Sequence, residues 1–129
     1  MSITMEISDF RSIAGLVREH ALATPSRRAL VDDDDALTYA KLDRLMDRVA
    51  SALQRDQINP GESIVLAGRN SVWLAAVFLG ALRAGVVVVP LATGVTAQSF
   101  ESMLRDSEAR LLFVDESAIP CVPANARTR

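Results

Sequence analysis

From Val72 to Ala92 the chain reads VWLAAVFLGALRAGVVVVPLA, an apolar run whose only charge is Arg83. A run of this length is long enough to be a membrane span. Three features argue against that assignment. Arg83 would sit near mid-span, at a cost of about 2.5–3.5 kcal/mol. Gly85 and Pro90 interrupt the second half, and four consecutive valines favour a pleated strand. The spacing instead predicts a helix to Ala84 with Gly85 as its left-handed terminator. A strand over Val86–Val89, buried on both faces and ended by Pro90, follows. The helix has no charge between Val72 and Leu82, so it is expected to be covered on most sides.

The flanking sequence completes the pattern. Ser12 is a helix cap, with Ile13, Leu16 and Val17 on one face of a helix to about Ala23 that Thr24-Pro25 ends. His20 falls on that face and reads as a partly buried packing group. Arg28–Val31 and Ala36–Tyr39 are short extended runs joined by Asp32–Asp35. Four adjacent carboxylates in a tight turn point apart and do not converge on one cation, so they read as a solvated hairpin turn. Thr38 caps an amphipathic helix from Ala40 to Arg55, with Leu42, Leu45, Met46, Val49, Ala52 and Leu53 inward. Asn59-Pro60-Gly61 is a turn. Ser63–Ala67 is a strand, Ser71 caps the apolar helix, Thr96 caps a helix to about Asp106, and Arg110–Val114 is a strand. The predicted fold class is therefore α/β, a parallel-sheet βαβαβ unit with helices on both faces, preceded by a helix and a short hairpin. Ligands of such sheets bind beyond the carboxyl ends of the strands, here Gly68-Arg69-Asn70, Ala92-Thr93-Gly94 and Asp115-Glu116. Residues 1–117 form one α/β unit, and 118–129 read as a tail or the start of a continuation.

At 129 residues with net charge −2, the chain suits one small domain and carries no basic surplus for nucleic acid. Lys41 is the only lysine and Cys121 the only cysteine. A lone cysteine excludes an internal disulfide and fits a reducing compartment. The start, MSITMEISDFRS, has no apolar segment, so no secretory signal is expected and the cytoplasm is the expected location. Neither GxGxxG nor GxxxxGK[ST] follows any strand, and GxSxG, CxxC and HExxH are absent from the sequence. His20 has no second histidine to pair with.

A resemblance supplies what these motifs do not. Leu37-Thr-Tyr-Ala-Lys-Leu42 is similar to the LTYxEL motif, and Leu82-Arg-Ala-Gly-Val-Val-Val-Val-Pro-Leu91 to the L(K/R)AGxxxVPL motif, of the AMP-forming adenylating enzymes. That family includes acyl- and aryl-CoA synthetases, luciferases and peptide-synthetase adenylation domains. Asn59–Leu66 with Asn70-Ser71 resembles its PGDRVAL…NS segment. Ala23–Leu30 resembles ATPDRPAL, and Val95–Leu112 resembles LTPEEL…DSGARVL. The order and spacing hold over nearly all of residues 12–115.

The resemblance implies the N-terminal part of an ATP-dependent ligase that converts a carboxylate to an acyl-adenylate and passes the acyl group to a thiol, commonly coenzyme A. ATP, Mg²⁺ and CoA are implied for the whole enzyme, with a small carboxylic acid as substrate and the rest of the ligase chain as partner. The family's phosphate loop ending in PKG, its Mg²⁺ ligands and its catalytic lysine lie beyond the matched segment. No catalytic residue, tight cofactor binding or metal ligand is therefore expected here. Lys41 stands where the family has glutamate, which reduces a capping box to the lone Thr38 cap. The loop after Pro90 often carries a basic residue near CoA, and Thr93 and Gly94 hold that position here, so they are the candidate cofactor contacts. An uncovered apolar surface predicts self-association. The alternatives are a stand-alone interaction module with the same fold, or part of a peptide-synthetase adenylation domain.

Overall fold

The computed structural model describes residues 11–123. Helix α1 (Ile13–Ala23) leads to a hairpin of β1 (Arg28–Val31) and β2 (Ala36–Thr38). Helix α2 (Tyr39–Arg55) follows, then β3 (Ser63–Ala67), α3 (Val72–Arg83), β4 (Val87–Leu91), α4 (Ala97–Asp106) and β5 (Leu111–Val114). The predicted caps form: Ser12, Thr38, Ser71 and Thr96 each accept the backbone N–H three residues on. Gly85, at φ +75°, donates to Leu82 O, while Val86 donates to Ala81 O. That pair of bonds satisfies the last carbonyls of α3 in a left-handed terminator. Gln57 does the same for α2 at φ +62° without being glycine, with Ile58 donating to Leu53 O.

The α/β architecture is as expected. β3, β4 and β5 form a parallel sheet in the order β4-β3-β5, with β1 and β2 an antiparallel pair apart from it. Alternation along β3 sends Ile64 and Leu66 toward α2 and α3, where Leu53, Ile58, Ala81 and Val86 are buried with them. Val65 and Ala67 face the other way, onto Phe100 of α4. Both faces are thereby covered, which is why β3 reads as an unbroken apolar run.

Several expectations are corrected. The valine strand is shifted to Val87–Leu91, lies at a sheet edge and contains Pro90, which pairs with Leu66. It is not buried on both faces, since Val87 is 47% exposed. An edge tolerates proline because one side of the strand has no partner to receive an N–H. The apolar helix α3 is by contrast covered on most sides as expected: Val72, Ala76, Gly80 and Ala81 are buried, and Trp73 alone in it is exposed by half. His20 is exposed, its ring 5.0 Å from that of Tyr39. The acidic turn is a turn, but not a merely solvated one, as described below. Of the stretch from 118, Ala118 and Cys121 are buried beside Phe100, with a short 3-10 helix at Ile119–Cys121. Residues 1–10 and 124–129 lie outside the described residues.

Helices α2 and α3 approach most closely at Gly80. A Cβ there would lie 2.6 Å from Val49 Cβ and 3.1 Å from Met46 O. Three residues on, the Arg83 guanidinium donates to Asp43 Oδ1 (2.7 Å), Asp43 O (3.0 Å), Asp47 Oδ1 (3.1 Å) and Ala14 O (2.9 Å). The single charge of the apolar run thus ties α3 to α2 and α1, and Arg18 of α1 adds bonds to the same two aspartates. Replacing Gly80 by alanine is expected to destabilise the chain by about 2 kcal/mol, because overpacking outweighs the helix-propensity gain. Gln57→Gly, which relieves a left-handed residue, is expected to stabilise by up to about 1 kcal/mol. Urea denaturation of both variants checks the opposite signs.

Candidate functional site

The three strand-end segments named from sequence do gather beyond the carboxyl ends of β3, β4 and β5. The β4-β3-β5 order makes the crevice between β3 and β5 the point where the connections diverge, the usual ligand position in such sheets. Here Asp115 stands in that crevice. Its carboxylate accepts from Arg69 N (2.7 Å), from Ser117 N (3.0 Å) and from Ser117 Oγ. A Cβ on Gly68 would lie 2.6 Å from Asp115 Cγ, so glycine at 68 is what admits the carboxylate. The Ser117 hydroxyl, aided by these amides, holds the Asp115 carboxyl below its ordinary range, against a smaller desolvation effect. Two backbone donors at this position, Arg69 N and Ser117 N, are therefore engaged by an internal anion.

The hairpin turn joins the same region. Asp32 Oδ1 accepts from Asp34 N and Asp35 N, which shapes the turn. Its Oδ2 accepts from Val72 N (2.9 Å), and Asp35 Oδ2 accepts from Trp73 Nε1 (3.2 Å). Two carboxylates thus sit at the N-terminus of α3, where the helix dipole favours negative charge. The Val72 amide is the main reason the Asp32 carboxyl lies below its usual range. Between hairpin, Arg69–Ser71 and Asp115–Ser117 lies a polar cleft of about 400 Å³. Among the described residues, no group of three or more His, Cys, Asp or Glu is arranged to hold a metal ion. Sequence reasoning missed this docking because Asp32 and Val72 stand 40 residues apart. The Gly68–Asp115 pair had a usable signal, a glycine and an aspartate directly after two strands.

A larger cleft of about 860 Å³ opens between α3 and the β4 edge. Leu66, Leu74, Phe78, Leu79, Pro90 and Leu91 make its apolar wall, and Arg69, Asn70, Thr93 and Gly94 line it as well. Thr93 and Gly94, the candidate cofactor contacts, are thus set beside the loop after β3. Gly94 is exposed with open space around its Cα, and Thr93 O accepts from the buried Cys121 Sγ at 3.5 Å. Lys41 and His20 are exposed in α2 and α1 and do not line this cleft.

A model of the AMP-binding enzyme family matches residues 17–128. The chain belongs to that family. It is 37% identical over 110 residues to the oxalate–CoA ligase of Arabidopsis thaliana, covering 84% of this chain and 21% of that protein. It is 34% identical over 113 residues to a linear gramicidin synthase of Brevibacillus parabrevis, covering 88% of this chain and 2% of that protein. A benzoate CoA ligase from Burkholderia xenovorans LB400, known from its crystal structure, matches with a TM-score of 0.81 at 32% identity, over 88% of this chain and 23% of that one. The chain spans about a fifth of the length of these two CoA ligases. In this member of the family, the Leu37–Leu42 motif straddles β2 and the first turn of α2. The Leu82–Leu91 motif comprises the end of α3, its glycine terminator and β4.

The Asp115 knot predicts a specific acid response. A carboxyl whose folded pKa is depressed adds stability above its unfolded pKa, about 3.9, and loses it as pH falls through the lower folded value. Asp115→Asn is expected to cost about 1–2 kcal/mol at pH 7 and to make the acid limb of the stability curve shallower. Urea unfolding of both proteins from neutral pH down through the carboxylate range tests this, and parallel curves would contradict it.

Proposed function

We propose that this chain is the N-terminal structural part of an acid–CoA ligase, which would adenylate a small carboxylic acid with ATP and then transfer the acyl group to coenzyme A. The observation that carries this reading is the match of the AMP-binding enzyme family across residues 17–128, with CoA ligases among the similar proteins. The α/β subdomain extends through Cys121, which is buried with Ala118 beside Phe100. Mg²⁺ belongs with ATP in that reaction, and the groups that would hold both come from the rest of the enzyme. The strand-end crevice of this part does not fit a phosphate, because Asp115 already accepts from Arg69 N and Ser117 N. Its own contribution to ligand binding is the loop after β4, where Thr93 offers a hydroxyl and Gly94 leaves room for a CoA chain to pass. We infer a cytoplasmic setting from the unpaired Cys121. No helix among the described residues is long and apolar enough to cross a membrane.

Similarity to a gramicidin synthase keeps a second reading in view, in which the same segment serves a peptide-synthetase adenylation domain. On either reading the chain by itself neither forms acyl-adenylates nor hydrolyses ATP. Carboxylate-dependent ATP–pyrophosphate exchange, assayed with short aliphatic and aromatic acids, is expected to stay at background. Appreciable turnover by the chain alone would overturn the assignment of the catalytic groups to the rest of the ligase.

A further inference from the structure

Between Ala67, the last residue of β3, and Val72, the first of α3, the chain has four residues, Gly68-Arg69-Asn70-Ser71. They stand between the two clefts. Arg69, Asn70 and Ser71 line both the polar cleft of about 400 Å³ on the hairpin side and the cleft of about 860 Å³ on the β4 side. Each end of this loop is bound to a carboxylate from a distant segment. Arg69 N donates to Asp115 Oδ2 (2.7 Å), 46 residues further on, and Val72 N donates to Asp32 Oδ2 (2.9 Å), 40 residues back in the hairpin turn. The other oxygen of each carboxylate is engaged on its own side. Asp32 Oδ1 accepts from Asp34 N and Asp35 N, and Asp115 Oδ1 accepts from Ser117 N and Ser117 Oγ. Each carboxylate is thus anchored in its own turn by one oxygen and grips the loop with the other.

We propose that Asp32 and Asp115 form a two-point clamp that makes this loop a fixed wall between the two clefts, and that the wall opens as one piece. Four residues joining a paired strand to a seated helix leave no slack, so neither end can lift while the other stays bound. Opening therefore breaks both bonds together, joins the polar cleft to the larger one and uncovers the amides of Arg69 and Val72. Asp32 does not itself line the larger cleft. It acts there through the loop, as a positioning residue, and so ties the shape of that cleft to the docking of the hairpin. Val72 is the first residue of α3 and Arg69 precedes the helix, so neither amide has a helical acceptor. Their protection from exchange reads the two clamp bonds directly.

The test is amide hydrogen–deuterium exchange, residue by residue, on the chain as it is. Arg69 and Val72 are the reporters, and Ile64 and Val65 of β3, which pairs on both sides, mark global unfolding. Asp32→Asn leaves one carbonyl oxygen, enough for the turn amides but not for these and Val72 together. It is expected to speed exchange about tenfold at Arg69, the far end of the loop. Asp115→Ala is expected to speed Val72 by a similar factor. Gly68→Ala places a Cβ 2.6 Å from Asp115 Cγ, displaces the same carboxylate with every charge kept, and is expected to repeat the effect at Val72. In each protein Ile64 and Val65 exchange later than the loop. Variants that speed exchange only at the amide they unpair overturn the proposal. So does exchange at Arg69 and Val72 that is no faster than at Ile64 and Val65 in the unaltered chain. If the variants that displace Asp115 fail to fold, the response of Arg69 to Asp32→Asn decides alone. None of these outcomes bears on the ligase assignment, which is read by pyrophosphate exchange.

Discussion

The contact between α2 and α3 at Gly80 is the constraint on which the arrangement depends. With no side chain at 80, the two helices meet at Val49 and the Met46 carbonyl, close enough for Arg83 to reach Asp43 and Asp47. The Arg83 side chain is only 13% exposed and makes four hydrogen bonds, so its charge is compensated where it sits. Held this way, α3 shields Ile64 and Leu66 on one face of the sheet and presents its N-terminus to the acidic hairpin. The loops after β3 and β4 leave from the two ends of that same helix–strand unit. Their positions therefore depend on how α3 is seated.

The local signals were well expressed in the sequence. Caps at Ser12, Thr38, Ser71 and Thr96, the Gly85 terminator and the change from helical to strand periodicity after Pro60 and Gly61 all depend on neighbours within a few residues. The observed elements follow them closely. What the valine run did not reveal was its place in the sheet. Four valines fit a pleated, half-buried surface at an edge as readily as at a centre. Only the pairing of β3 with both β4 and β5 makes β3 the middle strand. The acidic turn shows the same division. Its turn chemistry is local, but its docking on Val72 and Trp73 joins segments far apart in sequence. Arg83 was visible as an anomalous charge in an apolar run, although its partners were not.

The candidate site was legible in location and not in state. The three strand-end segments do converge, and Thr93 and Gly94 do line the large cleft. The crevice between β3 and β5, where a nucleotide phosphate would be expected from topology alone, is instead occupied by an aspartate of the protein itself. Gly68 makes that possible by letting the carboxylate approach the backbone. In this α/β unit two of the strand-end amides, Arg69 N and Ser117 N, are satisfied internally by Asp115. This agrees with membership of the AMP-binding enzyme family in a chain about a fifth as long as two of the CoA ligases it resembles.

The most direct test of that account is a titration of Mg·ATP into the isotopically labelled chain, followed by amide chemical shifts. With the donors of Arg69 and Ser117 held by Asp115, the amides of residues 68–71 and 115–118 are predicted to show no saturable shift at millimolar nucleotide. Saturable shifts at those amides would contradict the account, because they would show that the crevice accepts a phosphate in spite of Asp115.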